Sequence, residues 1–177
     1  MNWSDILQTC KEMGYTSHDA ETCGLHVHVS KKALGEDTAE QEKTIQNILY
    51  FTEQNWEKML AFSRRTQNQL DRWASRYGLL EGEKPSDILK KAKSGCGRYK
   101  AINLLNYNTI EFRLYRGTLN ITTFFATLQL TNYVCKFCKL WTEEEQTEKS
   151  WSDFVDYISE KEYTEELFKY LNTRGIK

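Results

Sequence analysis

The segment from Cys23 to Ser30 alternates strictly between apolar and polar side chains, and this pattern constrains the fold more than any other in the sequence. Three apolar side chains share one face and three polar side chains share the other, namely Leu25, Val27 and Val29 against His26, His28 and Ser30. A period of two is typical of a β-strand that buries one face. We therefore predict a strand over about 23–30.

The segment 98–116 alternates in the same way and predicts a β-hairpin. With a three-residue loop at 106–108, three pairs face each other on one polar surface: Asn103 with Glu111, Ala101 with Arg113, and Tyr99 with Tyr115. The other surface is then apolar throughout, with Ile102, Leu104, Ile110, Phe112 and Leu114. A two-residue loop would mix polar and apolar side chains on both surfaces, so the alternation of side chains favours the three-residue loop.

Helical periodicity covers most of the remaining chain. It predicts a helix over about 5–13 with Ser4 as N-cap, helix over much of 38–77 with a break at 63–68, a short helix from Ser86, a long helix from Asn120 to about Trp141, and short helices near 151–160 and 163–172. Few strands and many helices predict an α+β fold, with a small antiparallel sheet packed by several helices. We expect residues 1–141 to form the main domain and 142–177 a helical appendage packed on it.

Charge is unevenly distributed along the chain, although the formal net charge is only −1. Residues 58–116 carry 13 Lys and Arg against 5 Asp and Glu, whereas residues 1–57 carry 4 against 10. A basic centre suits an anionic partner, and solvated helix faces explain the same pattern equally well.

The composition excludes several classes of protein. No apolar run approaches the ~18 residues of a membrane span, and the first residues do not resemble a secretory signal. Five cysteines are an odd number for a disulfide framework. We therefore expect reduced thiols, a cytoplasmic location and no membrane partner.

Two polar strand faces carry the candidate site residues. His26, His28 and Ser30 project from one side of the first strand, where imidazole can bind a metal ion or a phosphate. Glu111 and Arg113 share the polar face of the hairpin, where a carboxylate can bind Mg²⁺ and a guanidinium can hold phosphate oxygens. Each set alone is also explained by a solvated strand face or a surface ion pair.

Together the two sets resemble the active-site strands of carboxylate–amine ligases of the glutamine synthetase and glutamate–cysteine ligase superfamily. Cys-Gly-Leu-His-Val-His-Val-Ser at 23–30 is similar to its Gly-x-His-x-His-x-Ser strand, and Thr-Ile-Glu-Phe-Arg at 109–113 is similar to its Arg-x-Glu-x-Arg strand. The resemblance extends to amidoligases of phage and mobile-element genomes, through Arg-Tyr at 98–99 and Gly-Thr-Leu-Asn at 117–120. It covers about residues 22–140.

This resemblance implies an ATP- and Mg²⁺-dependent enzyme that joins a small-molecule or peptide carboxylate to an amine. It assigns metal binding to His26 and Glu111, nucleotide contacts to His28, Ser30 and Arg116, and catalysis to Glu111 and Arg113. In this assignment Arg113 stabilises the γ-phosphoryl group during its transfer, because phosphoryl transfer depends on positioning and charge neutralisation. Arg64 and Arg65 are further candidates for anion contacts.

Two features depart from the family pattern. No Glu-x-Glu strand precedes His26, and Thr109 stands where the family has its first Arg. We therefore expect the back half of a glutamine-synthetase-like domain, incomplete or split, with a sheet that a partner chain or a second copy would complete. The alternative is a non-catalytic binding or inhibitor protein on the same fold, which acts on a host protein or ribonucleoprotein through a basic face.

The cysteines suggest one further alternative, a zinc site. Cys23, His26 and His28 would form it with or without Cys96, although Cys-x-x-His-x-His is not a usual zinc spacing. Two other cysteines, Cys135 and Cys138, lie on an apolar helical segment, and we predict that they are small core residues.

Overall fold

The computed structural model describes residues 2–17, 23–95, 97–142 and 144–177, and it confirms the predicted α+β class. In these ranges the strands form one antiparallel sheet, and helices pack against it. The elements in chain order are α1 (Trp3–Glu12), β1 (Gly24–Ser30), α2 (Thr38–Gln54), α3 (Trp56–Ser63), α4 (Gln67–Trp73), α5 (Pro85–Lys93), β2 (Ile102–Asn103), β3 (Thr109–Arg116), α6 (Ile121–Lys139), α7 (Trp151–Ser159) and α8 (Glu165–Arg174).

Strand β3 lies between β1 and β2 in the sheet. β1 runs antiparallel to β3 with His28 opposite Glu111, and β2 pairs with β3 so that Asn103 is also opposite Glu111. The predicted pairing of Asn103 with Glu111 is therefore confirmed. This register collects the polar side chains of the three strands on one face of the sheet, because residues that pair across a sheet point to the same side.

The first strand of the predicted hairpin is short. Only Ile102 and Asn103 form β2, and the chain before them turns to pair with Ser75, which follows α4. The backbone N–H of Ser75 donates to the Tyr99 carbonyl over 2.9 Å, and the N–H of Ala101 donates to the Ser75 carbonyl over 2.9 Å. Tyr99 is thereby fixed between α4 and the sheet.

A bulge in β3 changes the face of one predicted residue. The register shifts between Leu25 and Val27, so β3 holds one extra residue there. Beyond the bulge, Tyr115 points into the core, where it is 2% exposed and its hydroxyl hydrogen-bonds with Thr131 Oγ1 over 2.8 Å. The prediction that Tyr115 faces Tyr99 on the polar surface is therefore wrong, because an inserted residue reverses every face assignment beyond it.

The helix boundaries follow from capping. Asn2 rather than the predicted Ser4 is the N-cap of α1, since its side chain accepts the Ser4 N–H over 3.0 Å. Asn120 caps α6, as predicted. The expected break within 38–77 falls at Arg64, whose left-handed backbone (φ 62°) ends α3, and Thr66 then caps α4.

One hydrophobic cluster joins the apolar sheet face to the helices. Phe51 of α2 packs against Phe137 of α6 and Trp151 of α7, so the C-terminal helices pack on the same core as the rest. The division between 1–141 and 142–177 stays a prediction. Cys135 and Cys138 are buried, as predicted, and burial raises the pKa of Cys135 to about 12.

None of the helices in the described part of the chain combines the length and the apolar character needed to cross a bilayer.

Candidate functional site

Three of the predicted site residues converge on one carboxylate oxygen of a fourth, Glu111. Glu111 Oε1 accepts a hydrogen bond from Arg113 Nη1 over 2.7 Å and lies 2.9 Å from His26 Nδ1. His28 Nε2 is 3.7 Å from the same oxygen. The sheet register produces this cluster, because the first strand carries both imidazoles on its polar face and the central strand carries the carboxylate and the guanidinium.

The second oxygen of the Glu111 carboxylate is also engaged. Oε2 accepts hydrogen bonds from Asn103 Nδ2 over 2.8 Å and from Asn106 Nδ2 over 3.4 Å. Burial opposes ionisation of Glu111, but the hydrogen bond from Asn103 and the positive charge of Arg113 outweigh it and lower the pKa of the carboxyl group. Glu111 is therefore ionised at neutral pH.

His26 is held in its neutral form. Partial burial and the nearby Arg113 guanidinium lower its pKa, while Glu111 acts in the opposite direction without reversing the shift. Because an ionised acceptor lies 2.9 Å from Nδ1, the proton of the neutral ring belongs on Nδ1. Nε2 then keeps a lone pair that can accept a hydrogen bond or bind a metal ion.

Ser30 and Arg116 lie at opposite ends of the β1–β3 pair. Ser30 pairs with Thr109 and Arg116 pairs with Gly24. Six residues of extended strand separate these ends, which corresponds to roughly 20 Å. Of the three residues predicted to contact a nucleotide, Ser30 and Arg116 therefore cannot contact the same phosphate group. The third, His28, lies between them, with its Nδ1 3.0 Å from Thr109 Oγ1.

Arg65 belongs to this site although it comes from the segment between α3 and α4. A Cβ atom at Gly24 would lie 2.6 Å from Arg65 Nη2 and 3.0 Å from His26 Nε2, so the guanidinium and the imidazole share the space beside Gly24. Arg65 Nη2 also donates to the Tyr115 carbonyl over 3.1 Å. The sequence signal for this contact is a glycine at the start of an otherwise regular strand.

Tyr99 also belongs to the site, and unlike Arg65 it was not a candidate site residue in the sequence. The Arg113 guanidinium carbon is 5.7 Å from the centre of the Tyr99 ring, and that of Arg98 is 5.0 Å from it. Tyr99 is 41% exposed and therefore forms an open aromatic surface beside the Glu111 cluster. Sequence alternation placed it on the polar face, but it could not show the contact with Arg113.

The described residues do not form a complete metal site. No group of three or more His, Cys, Asp or Glu side chains in the described ranges could hold a metal ion. Cys23 thus does not complete a zinc set with His26 and His28, and Cys96 lies outside the described residues. For Mg²⁺, both oxygens of Glu111 already accept hydrogen bonds, so the pair of Glu111 and His26 does not fit a magnesium ion held by this chain alone.

No family model matches the sequence, and no curated protein and no solved structure matches it either. The amidoligase resemblance therefore stays a prediction, carried by the two strand motifs.

Proposed function

We propose that this chain provides the phosphate-binding part of an ATP-dependent carboxylate–amine ligase. The observation that supports this proposal best is the convergence of His26, Glu111 and Arg113 on the open face of the sheet, with distances of 2.9 Å and 2.7 Å to one carboxylate oxygen. A buried carboxylate that orients a guanidinium beside an open surface suits the recognition of a phosphoryl group. The cytoplasm would supply the ATP.

The reaction would proceed in two steps. An oxygen of the substrate carboxylate attacks the γ-phosphorus of ATP, the bond to the bridging oxygen of ADP breaks, and an acyl phosphate forms. An amine then attacks the acyl carbon, inorganic phosphate leaves, and the amine loses a proton as the amide forms. In this proposal Arg113 neutralises charge on the transferred phosphoryl group, and Arg116, His28 and Ser30 contact the rest of the nucleotide.

No step of this proposal is assigned to a metal ion. The described residues offer at most one carboxylate and one imidazole, and a Mg²⁺ ion that accompanies ATP would take its other ligands from phosphates, water or another chain. The chain's own contribution is to bind and orient phosphate oxygens, through guanidinium groups held by Glu111 and by backbone carbonyls.

A hydroxylamine trap tests the ligase reaction without knowledge of the natural amine. The chain is incubated with ATP, MgCl₂, hydroxylamine and a pool of amino acids and dipeptides as carboxylates, and hydroxamate and phosphate are measured together. We expect ATP-dependent hydroxamate with the wild-type chain and none with Glu111→Gln. Glu160→Gln, which removes an exposed carboxylate at the end of α7, serves as the matched control and keeps full turnover.

A second candidate function is ATP-independent binding of a host protein or ribonucleoprotein through the basic face. It is favoured by the full occupation of both Glu111 oxygens, which is typical of a structural network rather than of a reactive carboxylate. In that case the wild-type chain forms no hydroxamate and binds no ATP, and the effect of Glu111→Gln is confined to stability. These results together would exclude the ligase.

A further inference from the structure

Four arginines from three parts of the chain surround one open hollow beside the Glu111 cluster. Arg64 and Arg65 follow α3, Arg116 ends β3 and Arg174 ends α8. They line a cavity of about 430 Å³, and Glu57 is the one acid among its described lining residues. The charges of Arg64, Arg65 and Arg174 exceed that of Glu57 by two.

Backbone carbonyls hold three of these guanidinium groups in place. Arg64 Nη2 lies 3.3 Å from the Arg116 carbonyl, Arg65 Nη2 lies 3.1 Å from the Tyr115 carbonyl, and Arg174 Nη2 lies 3.1 Å from the Ala61 carbonyl. Neutral carbonyls fix the groups but do not cancel their charge, and a guanidinium has five N–H donors. Each group therefore keeps donors for a further acceptor.

The arrangement costs electrostatic free energy unless an anion is bound. In the described ranges, Arg64, Arg65 and Arg174 make no ion pair with a carboxylate. Burial and the neighbouring Arg113 and Arg116 lower the pKa of Arg65, which is the direction that crowded cations produce. A ligand with several negative charges would relieve this repulsion, because charge-assisted hydrogen bonds to guanidinium are among the strongest in proteins.

We propose that this hollow is a binding site for a ligand that carries two or more neighbouring phosphate groups. A surplus of two positive charges, from Arg64, Arg65 and Arg174 over Glu57, in about 430 Å³ calls for a compact polyanion, and a single carboxylate would leave half of that surplus uncompensated. The site shares Arg65 and Arg116 with the proposed ligase but does not rest on that reaction, because Arg64 and Arg174 have no role in it. Two sources can supply such phosphates: the di- or triphosphate group of a free nucleotide, and consecutive phosphodiesters of RNA. The experiment distinguishes these two sources.

The experiment is calorimetric titration of the full chain with sodium tripolyphosphate, ATP and a short single-stranded RNA, at low and at physiological salt. We expect tripolyphosphate to bind, and Arg174→Gln to weaken that binding by about tenfold or more, because it removes a charge-assisted hydrogen bond. Arg174 is exposed, so this variant should fold, and its melting temperature verifies this. Glu57→Gln should strengthen binding, because it removes the one acidic group of the lining.

Arg72→Gln is the matched control, because Arg72 is an exposed arginine of α4 outside the hollow. The proposal is overturned if neither tripolyphosphate nor RNA binds, or if Arg72→Gln weakens binding as much as Arg174→Gln. RNA that binds more tightly than ATP identifies a nucleic acid as the source of the phosphates, and the reverse order identifies a nucleotide. Tripolyphosphate binding that Arg174→Gln weakens supports this proposal whether or not the chain forms hydroxamate, so a failure of the ligase proposal is distinguishable from a failure of this one.

Discussion

His28 pairs directly with Glu111 across the sheet, yet His26 lies nearer to its carboxylate, with 2.9 Å from Nδ1 to Oε1 against 3.7 Å from His28 Nε2. The register shift next to His26 explains this order, because the bulge brings the central strand out of regular pairing there. His26 is consequently the imidazole that is electrostatically coupled to both Glu111 and Arg113.

The first prediction concerns the pKa of His26, measured by NMR titration of its ring. Glu111→Gln should lower that pKa further, because it removes the negative charge that favours the imidazolium. Arg113→Gln should raise it, because it removes a positive charge. The exposed substitution Arg72→Gln provides the baseline, and a shift in the same direction for both site variants would contradict the described geometry.

The second prediction is the pH dependence of stability. Folding lowers the pKa of His26 below 6.5 and that of Glu111 below 4.5. In the pH range where each of these groups titrates, the unfolded chain therefore binds more protons than the folded chain. The contribution of these two groups to the free energy of unfolding is therefore fully present above about pH 7. It decreases as the pH falls, first because His26 is protonated and then because Glu111 is protonated.

Urea denaturation over a series of pH values measures this dependence. In His26→Gln the loss of stability between about pH 7 and 5 should become smaller than in the wild type, while the loss at lower pH remains. An unchanged slope in that upper range would show that His26 does not have the lowered pKa.

The third prediction concerns Glu53, whose side chain is 2% exposed. Its carboxylate accepts hydrogen bonds from Arg76 Nε over 2.9 Å, Tyr77 N over 2.6 Å and Gly78 N over 3.0 Å. Glu53→Ala should lower the free energy of unfolding by about 3–5 kcal/mol, because it leaves a guanidinium and two partly buried N–H groups without their acceptor. Glu42→Gln breaks the exposed pair with Lys93 and should cost less than about 1 kcal/mol in the same urea experiment. Equal losses in the two variants would contradict this account.

Sequence periodicity predicted both strand faces because side-chain alternation reports directly which residues share a side of a sheet. It therefore placed His26 and His28 on one polar strand face and Glu111 and Arg113 on another, and only the family resemblance predicted that the two faces meet. It could not predict the bulge, since an inserted residue leaves the local composition unchanged.

The contribution of Arg65 was also outside the reach of sequence periodicity. Arg65 reaches the sheet from a loop, and loop side chains carry no period that could reveal their partners. Gly24 was the sequence feature that indicated a close approach at this position. A glycine alone does not identify which side chain occupies the space beside it.

The last prediction compares two glycines that a methyl group would crowd for different reasons. A Cβ at Gly24 would meet the far end of the Arg65 side chain at 2.6 Å, which can move away. A Cβ at Gly35 would meet the backbone N of Gln41 at 2.6 Å and the carbonyl carbon of Glu40 at 2.7 Å, both in the first turns of α2.

Because backbone in a helix cannot shift independently, Gly35→Ala should lower the free energy of unfolding by about 1–3 kcal/mol, as overpacked sites do. Gly24→Ala should lower it less but should displace the Arg65 guanidinium and weaken tripolyphosphate binding. Urea denaturation and calorimetry on both variants separate the two effects. A larger loss of stability in Gly24→Ala than in Gly35→Ala would mean that the Arg65 side chain is as rigidly held as helical backbone.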